Sequence, residues 1–350
     1  MQPPDSTTSL AERRRTPTVS VVIIGRNEGE RLGKCIASVR AVQGVDGEIE
    51  LIYVDSGSTD TSVRLATEAG AQVLTINSPT PTAALGRNAG WKAACAEFVL
   101  FLDGDTILHP GFLRRALDAM AADPTIAAVW GHRREIHCDR SIYNRVLDLD
   151  WTYAPGIVEF CGGDVLMRRT ALLLVDGYDG ALIAGEEPEL CRRLRSQGYT
   201  ILHIDAPMTG HDLDMFHFGQ YWRRALRAGH AYAEVSRRFR NTPDPFWGPQ
   251  RRQNFVRGGF WSVSLCVAMA CSLLFRSVLP FAGWMALLLL LAARTGWLAR
   301  WKSSSMATLL FYGIHSHLQQ IPILVGQLQF DRDVRTGTSR KLIEYKRKEI

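Results

Sequence analysis

The sequence predicts an α/β fold, with a mostly parallel sheet covered by helices and a helical membrane module after it. Three observations carry this. Short apolar, β-branched runs alternate with helix-period segments between residues 19 and 131. Two carboxylates one residue apart, in Asp103-Gly104-Asp105, follow the apolar run Phe98–Leu102. Late in the chain, Gly258–Phe275 and Val278–Ala293 carry no charge.

The elements follow in order. Val19–Gly25 is the first strand, and Glu28–Arg40 has helical spacing with Leu32, Cys35, Ile36 and Val39 on one face. Ile49–Val54 is the second strand, ended by Asp55-Ser56-Gly57-Ser58, and Thr59 or Asp60 can cap the next helix. Ala71–Ile76 is a third strand, Thr82–Ala96 a helix, and Phe98–Leu102 a buried strand. This alternation implies parallel strands joined by right-handed crossovers. A helix near Pro110–Ala122 and a strand near Ile126–Gly131 extend the layer. Phe216–Arg240 is a basic, aromatic stretch that reads as an amphipathic helix on a membrane surface.

A spanning helix needs about 20 apolar residues. The two uncharged stretches are each slightly short for that, and only Arg276-Ser277 parts them. They predict a tight transmembrane hairpin, with a re-entrant hairpin or a buried helical pair as rivals. Arg251, Arg252 and Arg257 precede it and Arg294, Arg300 and Lys302 follow it, which places both ends in the cytoplasm. Met306–Phe330, broken by His315, His317, Gln319, Gln320 and Pro322, reads as an interfacial helix or a third, polar span. The expected layout is a tail over 1–17, a catalytic-type domain over 18–240 with halves at 18–132 and 133–240, a membrane module over 241–330 and a basic tail over 331–350.

Composition narrows the function classes. The 350 residues carry a net charge of +6, which favours anionic partners. No nucleic-acid recognition motif appears, and the basic stretches flank apolar segments, so a nucleic-acid partner is not expected. Seven cysteines lack C-x-x-C spacing, which argues against a zinc site and a disulfide ladder. No apolar h-region follows Arg13-Arg14-Arg15, so the start of the chain is not read as a secretory signal.

Open α/β sheets bind ligands beyond the carboxyl ends of their strands. Four loop motifs fall there: Gly25-Arg26-Asn27-Glu28, Asp55 to Asp60, Gly86-Arg87-Asn88-Ala89-Gly90, and Asp103-Gly104-Asp105. Acids at strand ends are costly unless something positive holds them, and a divalent metal carrying a diphosphate meets that need. Asp105 suits Mg or Mn, which take oxygen ligands. Arg87 offers a fork for phosphate oxygens. The missing G-x-G-x-x-G argues against a nicotinamide dehydrogenase.

The series VSVVIIGRNE, VDSGSTD, GRNAG, FLDGD, CGGDVLMRR and GEEPELCRRLRSQGY resembles the family 2 glycosyltransferases with a GT-A fold, from about Val19 to Tyr232. The resemblance implies an inverting transfer of a sugar from a nucleotide-sugar donor to an acceptor hydroxyl. It implies that Glu28 and Asp55, with Arg26, hold the nucleoside end, that Asp103 contacts ribose or sugar, and that Asp105 binds Mg or Mn. Gly162-Gly163-Asp164 resembles the segment lining the donor-sugar and acceptor region. Glu186-Glu187 matches the family's Glu-Asp pair. Its second member, here Glu187 in place of Asp, is the expected base, with Glu186 as the alternative. His211 is a candidate for the metal shell or the diphosphate, and Arg223 for the diphosphate. Gln220-Tyr221-Trp222-Arg223-Arg224 departs from the Gln-x-x-Arg-Trp segment of processive synthases. The implied partners are a nucleotide sugar, a lipid-linked or glycan acceptor and the membrane. The implied location is the inner membrane, with the catalytic domain cytoplasmic. The rivals are a nucleotide-sugar pyrophosphorylase, whose basic Gly-rich loop is missing after the first strand, and a non-catalytic membrane-anchored nucleotide-binding module.

Overall fold

A computed structural model describes residues 17–338. The expected tail up to residue 16 and the part of the expected basic tail from residue 339 onward lie outside the described residues. In chain order the elements are β1 (Val19–Gly25), α1 (Glu30–Arg40), β2 (Ile49–Asp55), α2 (Ser62–Glu68), β3 (Gln72–Thr75), α3 (Ala83–Ala93), β4 (Phe98–Asp103), β5 (Thr106–Leu108), α4 (Phe112–Ala122), β6 (Ile126–Glu135) and α5 (Ile142–Asp150). Then come β7 (Gly156–Val158), β8 (Val165–Arg168), α6 (Arg169–Leu174), α7 (Glu186–Ser196), β9 (Thr200–His211), α8 (Phe218–Phe239), α9 (Gly248–Leu274), α10 (Leu279–Leu298), α11 (Met306–Leu318) and α12 (Gln320–Thr336).

The sheet runs β3-β2-β1-β4-β8-β6-β9-β5, with β7 paired to β9. Its first half is parallel, as the alternation predicts: β1 sits between β2 and β4, with Ile24 opposite both Val54 and Asp103. Val21, Val22, Ile23, Ile52, Val54 and Val99 to Leu102 are fully buried, because helices cover both faces of these strands. The second half is mixed. β8 runs antiparallel to both β4 and β6, and β6 runs parallel to β9. That reversal breaks the simple βαβ pattern, so the expectation of a parallel extension through Ile126–Gly131 holds for the strand and not for its pairing. Helix starts shift as caps dictate. Thr82 accepts from Leu85 N at the start of α3, and Asp60 accepts from Ser62 N ahead of α2.

The last helices differ from the sequence reading. α8 does not lie with its apolar face uncovered, since Tyr221, Ala225, Gly229, Ala231, Ala233 and Val235 are buried. It crosses α12 closely. A Cβ on Gly229 would strike the Ile323 carbonyl, and one on Gly326 would strike the Leu226 carbonyl. Met306–Phe330 is neither one interfacial helix nor one span; it divides at Gln319 into α11 and α12. α9 and α10 form an antiparallel hairpin whose end, Leu273 to Phe275 with Val278 and Leu279, is 67–78% exposed. Among the described residues, these two helices are long and apolar enough to cross a membrane.

Candidate active site

The carboxyl ends of β1 and β4, the loop before β8, the start of α7 and the end of β9 converge on one cavity of about 1260 Å³. Each group arrives there for a local reason. Asp103 closes β4, where the strand leaves the buried sheet, and Asp105 follows after a glycine. Glu186 and Glu187 open α7, where acids suit the positive end of the helix. His211 ends β9, and its strand pairs with β5, so Thr106 stands opposite His211.

A metal-type cluster results. The ligand atoms of Asp103, Asp105 and His211 lie within 4.8 Å of one another, and His211 Nε2 is 3.4 Å from Asp105 Oδ2. Burial, with the charges of Arg133, Arg224 and Arg31 adding to it, holds His211 well below the usual histidine range. Its imidazole is therefore neutral and able to ligate. Behind it, Glu135 Oε2 lies 4.0 Å from His211 Nδ1 and accepts from Leu213 N. A set of two carboxylates and one imidazole, with Asp105 and His211 buried and Asp103 part-exposed, fits Mg or Mn. Asp164 sits underneath, accepting from the Asp103 amide at 3.0 Å and the Thr209 hydroxyl at 2.8 Å.

The second constellation centres on Arg87. Its guanidinium is 2% exposed and lies 3.0 Å from Asp103, 3.1 Å from Glu186 and 3.2 Å from Glu187. Burial opposes its charge, and Glu187 and Asp103 more than offset that, holding the pKa well above normal. The fork expected for phosphate oxygens is thus spent on three carboxylates. Glu187 is pushed up to about 7, first by burial and then by the charge of Glu186. Gly163 completes the arrangement. A Cβ there would collide with Arg87 and come within 3.2 Å of Asp103 and 3.3 Å of Glu187. The space above Gly163 is bounded at once by the acid of β4 and the acid of α7.

Other predicted residues fall into place unevenly. Arg26 and Glu28 line the cavity, with Glu28 paired to Arg31 at 2.9 Å. Gly162 and Gly163 line it as well, while Asp164 stands one layer back. Asp55 is 2% exposed and does not reach the cavity wall; it accepts from Gly57 N, Ser58 N and the Tyr53 hydroxyl. Its acid shapes the turn. Arg223 is not among the cavity-lining residues, to which α8 contributes Arg224 and Arg227. Helical spacing explains it: Tyr221, Arg224, Ala228, Ala231 and Tyr232 share one stripe.

Sequence reasoning missed Arg133, Glu135 and Trp151. Arg133 lies 3.6 Å from both Asp103 and Asp164, and its guanidinium carbon is 4.8 Å from the Trp151 ring centre. Trp151 also meets His211 edge-on at 4.9 Å. The signal was present in the polar run His132-Arg133-Arg134-Glu135, which is unusual for the end of a buried strand. The apolar run ends at Gly131, whereas the strand itself continues to Glu135.

A cavity at the carboxyl ends of a mixed sheet, with an acidic pair at the end of the fourth strand, is the architecture of a GT-A fold. The same architecture occurs in the mannosyltransferase PcManGT from Pyrobaculum calidifontis, solved with GDP-Man and Mn2+, at a TM-score of 0.62 and 17% identity over 90% of this chain and 88% of that one. Residues 20–173 match the description "Glycosyl transferase family 2", and residues 98–299 match "Glycosyl transferase family group 2". The chain belongs to the family 2 glycosyltransferases. It is 28% identical to a pre-mycofactocin glycosyltransferase of Mycobacterium tuberculosis over 55% of its own length and 42% of the relative's. It is also 28% identical to an N-acetylglucosaminyltransferase of Mesorhizobium japonicum, over 49% and 44%. The chain thus spans less than half the length of these curated relatives.

Proposed function

We propose that this chain transfers a sugar, with inversion, from a nucleoside-diphosphate donor to a hydroxyl of an acceptor presented at a membrane surface. The observation that carries this reading is the bridge through Arg87, which ties the donor-side acid Asp103 to the acceptor-side acid Glu187 across Gly163. Glu28 and Arg26 border the nucleoside end of the cavity. A divalent Mg or Mn held by Asp105 and His211, with Asp103 beside them, would supply positive charge at the leaving diphosphate. Glu187 accepts the proton of the acceptor hydroxyl as its oxygen attacks the anomeric carbon. Its pKa near 7 matches that task, since a weaker base could not take the proton and a stronger one would already hold it. Glu186, fully inside the wall, holds Arg87 in place.

The two exposed apolar helices support a membrane location, with the catalytic domain on the cytoplasmic side where nucleotide sugars are made available. The working test is transfer from a panel of UDP-, GDP- and dTDP-sugars by the full chain in membranes. Activity with one donor, lost on chelation and restored by Mn2+, is the expected result. A folded chain that binds none of these nucleotides with Mn2+ or Mg2+ refutes the reading.

A further inference from the structure

The cavity does not stop at the chemistry just described. It continues along α8 to the last helices, where Asn254 of α9, His315 of α11 and Gln320 of α12 line it together with Arg224 and Arg227. We propose that this end is a subsite for the phosphate of a lipid-linked sugar acceptor. Arg227 and Arg224 receive the phosphate and the buried amides receive sugar hydroxyls. This rests on the sugar-transfer reading and adds the class of acceptor.

Four observations lead there. First, the subsite is close to the reacting centre: Trp151 carries Arg133 at 4.8 Å and Arg224 at 5.8 Å from its ring centre, so one indole separates Arg224 from the arginine that touches Asp103. Second, its negative group is already engaged. Asp150 accepts from His315 Nε2 at 3.0 Å, His315 Nδ1 meets the Tyr221 hydroxyl at 2.9 Å, and Arg224 lies near enough to help hold the Asp150 acid below the usual range. Arg227 forms no ion pair among the described residues, which leaves this end of the cavity with positive charge to offer. Third, Gln320 is 5% exposed and its buried Oε1 has no hydrogen-bond partner, a costly arrangement in a helix pair unless a ligand donates to it. Fourth, Asn254 on α9 lies within two turns of the exposed apolar side chains Phe255, Val256 and Phe260, where the first of the two apolar helices begins. A headgroup held here has its tail beside a membrane-facing surface.

A base at Glu187 also restricts the acceptor. A phosphate oxygen is already ionised at neutral pH and needs no proton removed, whereas a sugar hydroxyl does. The phosphate is therefore an anchor and not the nucleophile.

The experiment uses the full chain in nanodiscs of zwitterionic lipid, with Mn2+ and saturating UDP or GDP to fill the donor site. Calorimetry then compares octyl phosphate, inorganic phosphate and octanol. Octyl phosphate is expected to bind saturably, inorganic phosphate to compete more weakly, and octanol not to bind at this site. Arg227→Gln should weaken octyl phosphate about tenfold and Arg227→Lys should restore most of it, the scale of one charge-assisted contact. Retained nucleotide binding by Arg227→Gln reports that the variant is folded. Inorganic phosphate binding as tightly as octyl phosphate would mean a free-anion site, and octanol binding as tightly would mean a merely apolar one; either overturns the proposal, as does an unchanged Arg227→Gln. If neither nucleotide binds with Mn2+, the sugar-transfer reading itself falls and this inference falls with it.

Discussion

At the scale of single residues, the site is a balance of charge around a buried guanidinium. Arg87 is the only guanidinium among the described residues that touches Asp103, Glu186 and Glu187 together. Glu187→Gln removes the proton acceptor and keeps the shape, so turnover should fall about 100-fold or more while nucleotide affinity changes little. If Glu186→Gln shows that kinetic pattern and Glu187→Gln does not, the base is Glu186. The pH dependence follows from the raised pKa. Below about 7, Glu187 is protonated and cannot accept, so the rate should rise with pH through that value and level off above it. A profile flat from pH 5 to 9, roughly the range over which such a group changes state, would exclude this role. Gly163→Ala is the sterically sharpest test. The added methyl displaces Arg87, so transfer should be lost while Mn2+ still binds, read by electron paramagnetic resonance. At the metal-type cluster, Asp105→Ala should abolish turnover and metal-dependent nucleotide binding together.

The elements decide which residues meet. α3 delivers Arg87 because Gly86 and Gly90 let that helix lie directly on β1, against Ile24 and Val22. α8 serves two faces at once. One stripe lines the cavity, while Gly229 on another meets α12 at Ile323, with Gly326 returning the contact to Leu226. Replacing Gly229 with Leu forces these helices apart, at about 1–3 kcal/mol by the usual cost of overpacking. The expected result is a lower unfolding temperature of the full chain and weaker acceptor use. An unchanged melting curve would show that the close crossing carries no stability. The motif loops around Gly25, Asp103 and Gly185 were readable from the sequence because each ends or begins an element with a clear period. Arg133 was not, because β6 runs on past Gly131 through irregular pairing with β9, and no local pattern announces such a continuation.

For the whole molecule, a GT-A domain and an apolar hairpin share one cavity wall. Lys302, just past the hairpin, donates to the Leu149 carbonyl at 2.7 Å, and His315 reaches Asp150. Within the C-terminal helices, Arg251 of α9 pairs with Asp331 of α12 at 2.7 Å. Lys302 and His315 thus tie the C-terminal helices to α5, while the Arg251–Asp331 pair ties α9 to α12. We expect the chain to stay in the membrane pellet after carbonate extraction, because α9 and α10 present apolar side chains to their surroundings over most of their length. Release into the soluble fraction would argue for a peripheral association.

The sequence by itself determined the parallel half-sheet, the acidic pair after the fourth strand, the acids opening α7 and the two apolar helices. Those features are local: a period, a cap or a charge-free run is written in consecutive residues. Only the tertiary structure decided that Arg87 faces carboxylates rather than solvent, that Asp55 turns into its own loop, that Arg224 and Arg227 rather than Arg223 look into the cavity, and that α8 is covered by α12. Each of these depends on where a side chain points once distant segments pack. Rotation by one residue about a helix axis moves a side chain about 100°, and nothing nearby in the chain specifies which neighbour waits there.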